Sequence, residues 1–285
     1  MLVNMGDMLR NAQKGKYAVG LFNAVNLELA RGIIYAAEES RSPVIIGTAE
    51  IFLPYCPLEE VAEFLLPMAK RASVPVAVHL DHGLTKENCV KALELGFTSV
   101  MYDCSTDSYD VNVEKVREMA EIAHSYGATI EGELGHVGDN EGSAEGSFAP
   151  TDPSAYFTDP KLARDFVEKT GVDALAIAVG NAHGAYKLPP KLDFERIETI
   201  RKMVDVPLVL HGGSGLSDDD FRKAIEIGIS KVNIFTDINV AAAKAAMQAF
   251  TSVDKGIIEL ILPQIEAIKE EVLKKQRLFN SVNKG

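Results

Sequence analysis

The sequence predicts a (β/α)8 barrel, and three observations carry that expectation. Eight short runs rich in Val, Ile and Leu recur along 285 residues, at 18–26, 42–49, 74–83, 99–105, 129–135, 174–180, 207–215 and 231–237. Each is followed by a turn and a longer segment with apolar residues at helical spacing, as parallel strands joined by crossover helices require. The length sits close to the roughly 250 residues typical of one such barrel. One catalytic barrel over residues 1–285 is expected, with a C-terminal helical extension at about 256–279.

Local signals agree with the pattern. Thr85 opens the helix after the third strand, and Ser217 with Asp220 spells a capping box after the seventh. The Gly-rich stretch between Gly135 and Gly146 is longer than an ordinary connection and reads as a mobile lid. It carries Asp139, Glu141 and Glu145, and one of these acids, or Glu133 before them, is a candidate base.

The 47% hydrophobic and 25% charged content gives a sizeable core. A net charge of −12 repels phosphate backbones and anionic lipid, which argues against nucleic-acid and membrane partners. It does not argue against a small anion, because a metal ion, helix N-termini and a few basic side chains make one pocket locally positive. Cys56, Cys89 and Cys104 are odd in number with no C-x-x-C spacing, so neither a disulfide framework nor a thiolate zinc site is expected. Residues 1–15 lack an apolar targeting core and no run approaches the length of a membrane span, so a soluble, cytoplasmic protein is expected.

In a barrel of this kind the active site lies at the C-terminal strand ends. The polar residues there are Asn23, Thr48, Asp81 with His82, Asp103, Glu133, His183, His211, Asn233 and Thr236. A lone histidine is more often structural than a ligand, but His82, His183 and His211 stand at matching strand ends, and three imidazoles with an open position make a catalytic zinc site. His79 inside its strand and His124 on a helix are read as structural, and His136 at the root of the long loop is left unassigned. Asp81 precedes His82 directly, so strict alternation sends the two apart and both serve one site only if the strand ends there, as Gly83 suggests. Asp81 is then either an acid/base on a substrate hydroxyl or a carboxylate orienting His82. Gly212, Gly213 and Ser214 after the seventh strand, with Asn233 and Thr236 after the eighth, form a phosphate cradle. Gly184 permits close approach of backbone to substrate, and Lys187 is a candidate phosphate neutraliser. Schiff-base chemistry on a lysine is not expected, because Lys187 lies in a loop and Lys231 is read as beginning its strand at the opposite face.

Five ordered motifs resemble the class II ketose-bisphosphate aldolases of the fructose- and tagatose-bisphosphate type. They are L-D-H-G at Leu80 to Gly83, E-G-E-L-G at Glu131 to Gly135, H-G-A-Y-K at His183 to Lys187, H-G-G-S-G at His211 to Gly215 and N-I-F-T at Asn233 to Thr236. The resemblance implies a lyase of carbohydrate metabolism that splits a ketose 1,6-bisphosphate into dihydroxyacetone phosphate and glyceraldehyde 3-phosphate. It implies zinc on His82, His183 and His211, Asp103 and Glu133 as alternative ligands, Asp81 as the acid/base on the hydroxyl, and Glu141 as the proton-exchanging loop glutamate. Gly184, Gly212, Ser214, Asn233 and Thr236 would hold dihydroxyacetone phosphate, with a monovalent cation (Na+ or K+) nearby and a homodimer or homotetramer as the assembly.

Two departures stand out. Phe235 occupies a position that is acidic in one branch of the family and small in another. The Asp-Pro-Arg motif whose arginine reaches a neighbouring subunit's distal phosphate is missing, since residues 252–258 read S-V-D-K-G-I-I, with only Lys255 as a substitute cation. The aldehyde product is therefore open, a deoxy-phosphogluconate-type substrate included, and the class to weigh against an enzyme is a sugar-phosphate-binding barrel without turnover.

Overall fold

A computed structural model describes residues 1–139, 156–183, 191–251 and 256–285. Eight parallel strands, β1 (Val19–Asn23), β2 (Val44–Ala49), β3 (Val76–Gly83), β4 (Ser99–Tyr102), β5 (Thr129–Leu134), β6 (Ala174–Ile177), β7 (Leu208–Leu210) and β8 (Ile229–Ile234), close a barrel in the order β1-β8-β7-β6-β5-β4-β3-β2. The predicted class is thus the observed one. Around it lie α1 (Met5–Gly15), α2 (Leu27–Ser40), α3 (Leu58–Arg71), α4 (Lys86–Leu95), α5 (Tyr109–Ser125), α6 (Pro160–Thr170), α7 (Phe194–Met203), α8 (Asp218–Ile227), α9 (Thr236–Phe250) and α10 (Ile257–Leu278). A two-residue parallel ladder joins Gly138–Asp139 to Ala182–His183 above the barrel. The helix starts behave as read: the Thr85 hydroxyl accepts from Asn88 N–H, and Ser217 and Asp220 form the reciprocal box.

The strands are mostly shorter than the sequence reading, and two of the differences bear on the site. The seventh stops at Leu210, because Gly212 at φ 62° turns the chain out of the sheet. The eighth runs from Ile229 to Ile234, so Lys231 stands in mid-strand and not at its start.

Alternation sorts each strand into two faces. Outward residues such as Phe22, Ile46, Val78, Leu80, Val100, Ile130, Leu175, Leu210 and Val232 pack beneath the helices. Inward, Val19, Leu21, Ile45, Ala77, Ala174, Ala176 and Val209 meet Met5, Met8, Leu9 and Ala12 of α1, which seals the N-terminal end. The apolar plug leaves only the upper interior for polar side chains.

Helix α10 lies along α2 and α9, and its seat depends on Gly32. A Cβ there would come 2.5 Å from Ile268 Cγ2 and 3.0 Å from the Ile265 carbonyl oxygen. Gly32→Val should cost about 1–3 kcal/mol by urea denaturation, the usual penalty of overpacking. A variant as stable as the parent would mean that α10 does not need this close approach.

Candidate active site

Strand β3 brings His79, Asp81 and His82 to the barrel interior, and it does so by breaking its own alternation. Asp81 pairs in register with Ala49 of β2 and points inward. His82 takes φ 42°, and the pairing of β3 with β4 shifts between Leu80 and Gly83. The strand ends at Gly83, as read from the sequence, but the bulge at His82, not the ending, is what brings both side chains inward. A left-handed backbone at a histidine costs about 1–3 kcal/mol and persists where its surroundings over-determine it.

The result is a convergence of three imidazoles. His82 Nε2 lies 3.1 Å from His183 Nε2 and 2.7 Å from His211 Nδ1, with the rings edge-on to one another. Beside them the Asp81 carboxylate, 3% exposed, accepts from Asn23 Nδ2 at 2.8 Å and from Asn233 Nδ2 at 2.9 Å, one amide on each oxygen.

The outer nitrogens of two rings rest on carboxylates. His82 Nδ1 is 2.8 Å from Asp103 Oδ2, and Asp103 Oδ1 accepts from Ser105 N–H. His211 Nε2 is 2.7 Å from Glu131 Oε1, whose other oxygen is 2.8 Å from Lys231 Nζ, all three side chains being fully buried. A ring that donates outward N–H to a carboxylate turns a bare nitrogen inward, which is how metal-binding histidines are oriented. The donor set fits a divalent ion, since one ligand atom from each of His82, His183 and His211 lies within 4.8 Å of the others. His82, Asp103 and Glu133 satisfy the same condition, so both acids stand beside the histidine cluster.

The sequence matches the family model for class II fructose-bisphosphate aldolases over residues 3–284. The chain belongs to the class II fructose-bisphosphate aldolase family. The fructose-bisphosphate aldolase of Geobacillus stearothermophilus is 40% identical over 290 residues, spanning 100% of this chain and 99% of its own length. The probable fructose-bisphosphate aldolase of Bacillus subtilis is 40% identical over 291 residues with the same coverage. The crystal structure of the YdjI aldolase from Escherichia coli K12 superposes with a TM-score of 0.88 at 36% identity, covering 100% of this chain and 99% of that one.

Relative to this aldolase framework, Gly212, Gly213 and Ser214 stand at the end of β7 facing the start of α9. A Cβ on Gly212 would clash with the Ala182 carbonyl, and one on Gly213 would come 2.7 Å from Val232. The first turn of α9 has no side-chain N-cap, and Ser214 Oγ lies 3.4 Å from Asp237 N. Thr236 is the first residue of that helix. Glu141, Gly184 and Lys187 lie outside the described residues.

Two readings need correction. Thr48 is fully buried and pairs with Leu80, an outward core residue, so it faces the helix layer and Ala49 is what β2 presents to the site. Lys231 is a buried interior lysine among the strands, and Glu131 holds its ammonium. Sequence reasoning missed Glu131 and Lys231 as site residues. Alternation carried the signal, since Glu131 shares a face with Glu133 and Lys231 with Asn233. Of the remaining histidines, His79 bonds Ser99 Oγ at 2.7 Å below Asp81, and His124 pairs with Asp173 on the exterior. His136 Nδ1 is 3.1 Å from Ser105 Oγ, at the root of the long loop.

Burial opposes every charge in this interior, and neighbours decide the outcome. Burial pushes Asp81 up, but the charges of His82, His211 and Lys231 and the Asn23 hydrogen bond bring it down to about 2. Burial pushes His82 down, yet Asp81 and Asp103 raise it to about 10. Asp103 is held well below the carboxylate range by His82 despite its burial. Glu133 is pushed up to about 8 by burial and by the Asp103 charge. Burial, then the charge of His82, holds His211 well below the usual imidazole range.

Two outcomes follow for the metal. His82 must lose its extra proton to offer Nε2, so affinity for a divalent ion should rise with pH, about tenfold per unit between about pH 6 and 8. Chelator competition at several pH values reads this, and a flat profile would show His82 to be neutral already. Lys231→Met strips Glu131 of its counter-charge and should cost about 3–5 kcal/mol of stability while weakening metal binding about 10–100-fold. Denaturation and the same competition assay check both effects, and the double variant Lys231→Met/Glu131→Gln should regain most of the stability but not the affinity.

Proposed function

We propose that this chain is a zinc-dependent aldehyde-lyase that reversibly cleaves a ketose 1,6-bisphosphate, fructose or tagatose, to dihydroxyacetone phosphate and glyceraldehyde 3-phosphate. The observation that carries the reading is the convergence of His82, His183 and His211 beside an Asp81 carboxylate pinned on both oxygens by Asn23 and Asn233.

Breaking the C3–C4 bond requires a proton to leave the C4 hydroxyl as the C4 carbonyl forms, while the bonding pair remains on C3 beside the C2 carbonyl. A zinc ion on the three imidazoles would supply Lewis-acid polarisation of that carbonyl. Asp81, ionised at neutral pH, accepts the hydroxyl proton, and the two amides hold its oxygens in place. Glu141 returns a proton to C3. Gly212, Gly213, Ser214, Asn233, Thr236 and the first turn of α9 take the dihydroxyacetone phosphate end, together with Gly184 and Lys187. Asp103 and Glu133 serve as alternative metal ligands, and Asn23 Oδ1 and Asn233 Oδ1, buried acceptors with no partner among the described residues, suit a substrate hydroxyl or a monovalent cation. Apolar side chains exposed on α9 and α10, Met247, Phe250, Ile257, Ile258 and Leu262, support a homodimer or homotetramer. Free, buried cysteines are compatible with a reducing cytoplasm, and among the described residues no helix is long and apolar enough to cross a membrane.

The absence of an arginine between residues 252 and 258 favours a second reading, in which dihydroxyacetone phosphate is retained and the aldehyde differs. Retro-aldol turnover of fructose and tagatose 1,6-bisphosphates should release dihydroxyacetone phosphate, stop on chelation and return with zinc. Asp81→Asn should lower kcat by about 100-fold or more. Turnover that survives chelation would overturn the metal role, and a clear preference for fructose 1,6-bisphosphate over other ketose phosphates would dismiss the second reading.

A further inference from the structure

Phe235 follows β8 at the N-cap of α9, Phe52 ends the short 3-10 turn that follows β2, and their ring centroids lie 4.5 Å apart at 40°. In the barrel order β1 separates β8 from β2. The two rings therefore meet across the C-terminal end of β1, where Asn23 holds Asp81. Both are only partly buried, at the rim of an otherwise polar mouth.

The turn that carries Phe52 is fixed. Glu50 in the same turn accepts from the Leu84 and Thr85 backbone N–H groups at 2.7 and 3.1 Å and from the Thr85 hydroxyl at 3.0 Å, tying it to the start of α4. The rest of what β2 offers is the Ala49 methyl group, in register with Asp81. This side of the mouth is thus apolar and rigid, while the acceptors Asn23 Oδ1 and Asn233 Oδ1 lie next to it without partners among the described residues.

We propose that Phe52 and Phe235 are the specificity-determining wall for the aldehyde half of the substrate, and that Glu50 is a positioning residue for Phe52. The proposal rests on the aldolase reading, in which Asp81 handles the aldehyde oxygen. The phosphate cradle occupies β7 and β8 and the imidazoles occupy β3, β6 and β7. The chain beyond the Asp81-bound oxygen accordingly runs toward β1 and β2, onto the two rings. A hydroxyaldehyde presents a C–H face and an O–H face; the rings take the first and Asn23 Oδ1 takes the second. The ligand class is a short, hydroxylated aldehyde lying with its carbon chain flat on the aromatic pair.

The test is the condensation of dihydroxyacetone phosphate with glyceraldehyde 3-phosphate, glyceraldehyde and glycolaldehyde, by the zinc-loaded protein and by Phe52→Leu, Phe235→Leu and Glu50→Gln. Each phenylalanine variant should raise KM for the favoured aldehyde about 3–10-fold and leave KM for dihydroxyacetone phosphate and zinc affinity unchanged. Glu50→Gln should move aldehyde KM in the same direction by less, and Phe235→Tyr should restore it. Unchanged aldehyde KM, or a rise shared equally by dihydroxyacetone phosphate, would overturn the wall. Failure of the unsubstituted protein with every aldehyde would count against the aldolase reading itself, a result separable from any variant effect. Melting temperature and zinc content of each variant separate a lost contact from a lost fold.

Discussion

Two consecutive residues of a regular strand face opposite ways, yet Asp81 and His82 both stand on the inside of this barrel, as the proposed chemistry requires. The left-handed backbone at His82 reconciles the two, and everything nearby is arranged to hold it. Asp103 takes the outer nitrogen of His82, Asn23 and Asn233 take the Asp81 carboxylate, and Gly83 lets the strand run on against the Met101 carbonyl, which a Cβ would approach to 2.7 Å. Strain of this kind is tolerable only in a scaffold with stability to spare. The continuous apolar layers beneath the helices and the α1 plug supply it.

The barrel interior is correspondingly a place of opposed charges and not simply a hydrophobic core. Lys231 neutralises Glu131, Glu131 orients His211, and Asp81 and Asp103 bracket His82. Each charge is costly to bury alone and tolerable when paired and hydrogen-bonded. The same pairing decides which nitrogen of His82 and of His211 turns inward, so electrostatic stability and the orientation of these two rings are one arrangement. Lys231, the buried amine that a Schiff-base mechanism would require, is occupied as a counter-ion.

Much of this was legible in the chain. The eight-fold alternation carried the architecture because parallel strands covered on both faces must be apolar and crossovers must be amphipathic. Three histidines and an Asp-His pair at strand ends pointed to a metal site because barrel chemistry sits there. What went astray were quantities set by register and turns. Thr48 was placed in the site although its partner Leu80 turns it outward, and Lys231 was set at a strand start although β8 begins two residues earlier. The five motifs agree with the family match over residues 3–284.

The sequence by itself determined which chemistry is available: the imidazoles, the acids, the glycines and the order in which strands present them. These are local properties, written in residue type and spacing. Only the tertiary structure decided which groups meet, because contacts among β3, β5, β8 and the end of β7 join residues 80 to 152 positions apart, such as His211 with Glu131 and Asn233 with Asp81. Closure of the barrel sets those distances, and no local signal encodes them. The joining of Phe52 to Phe235 across the end of β1 is of the same kind, visible only once β8 lies beside β1 and β1 beside β2.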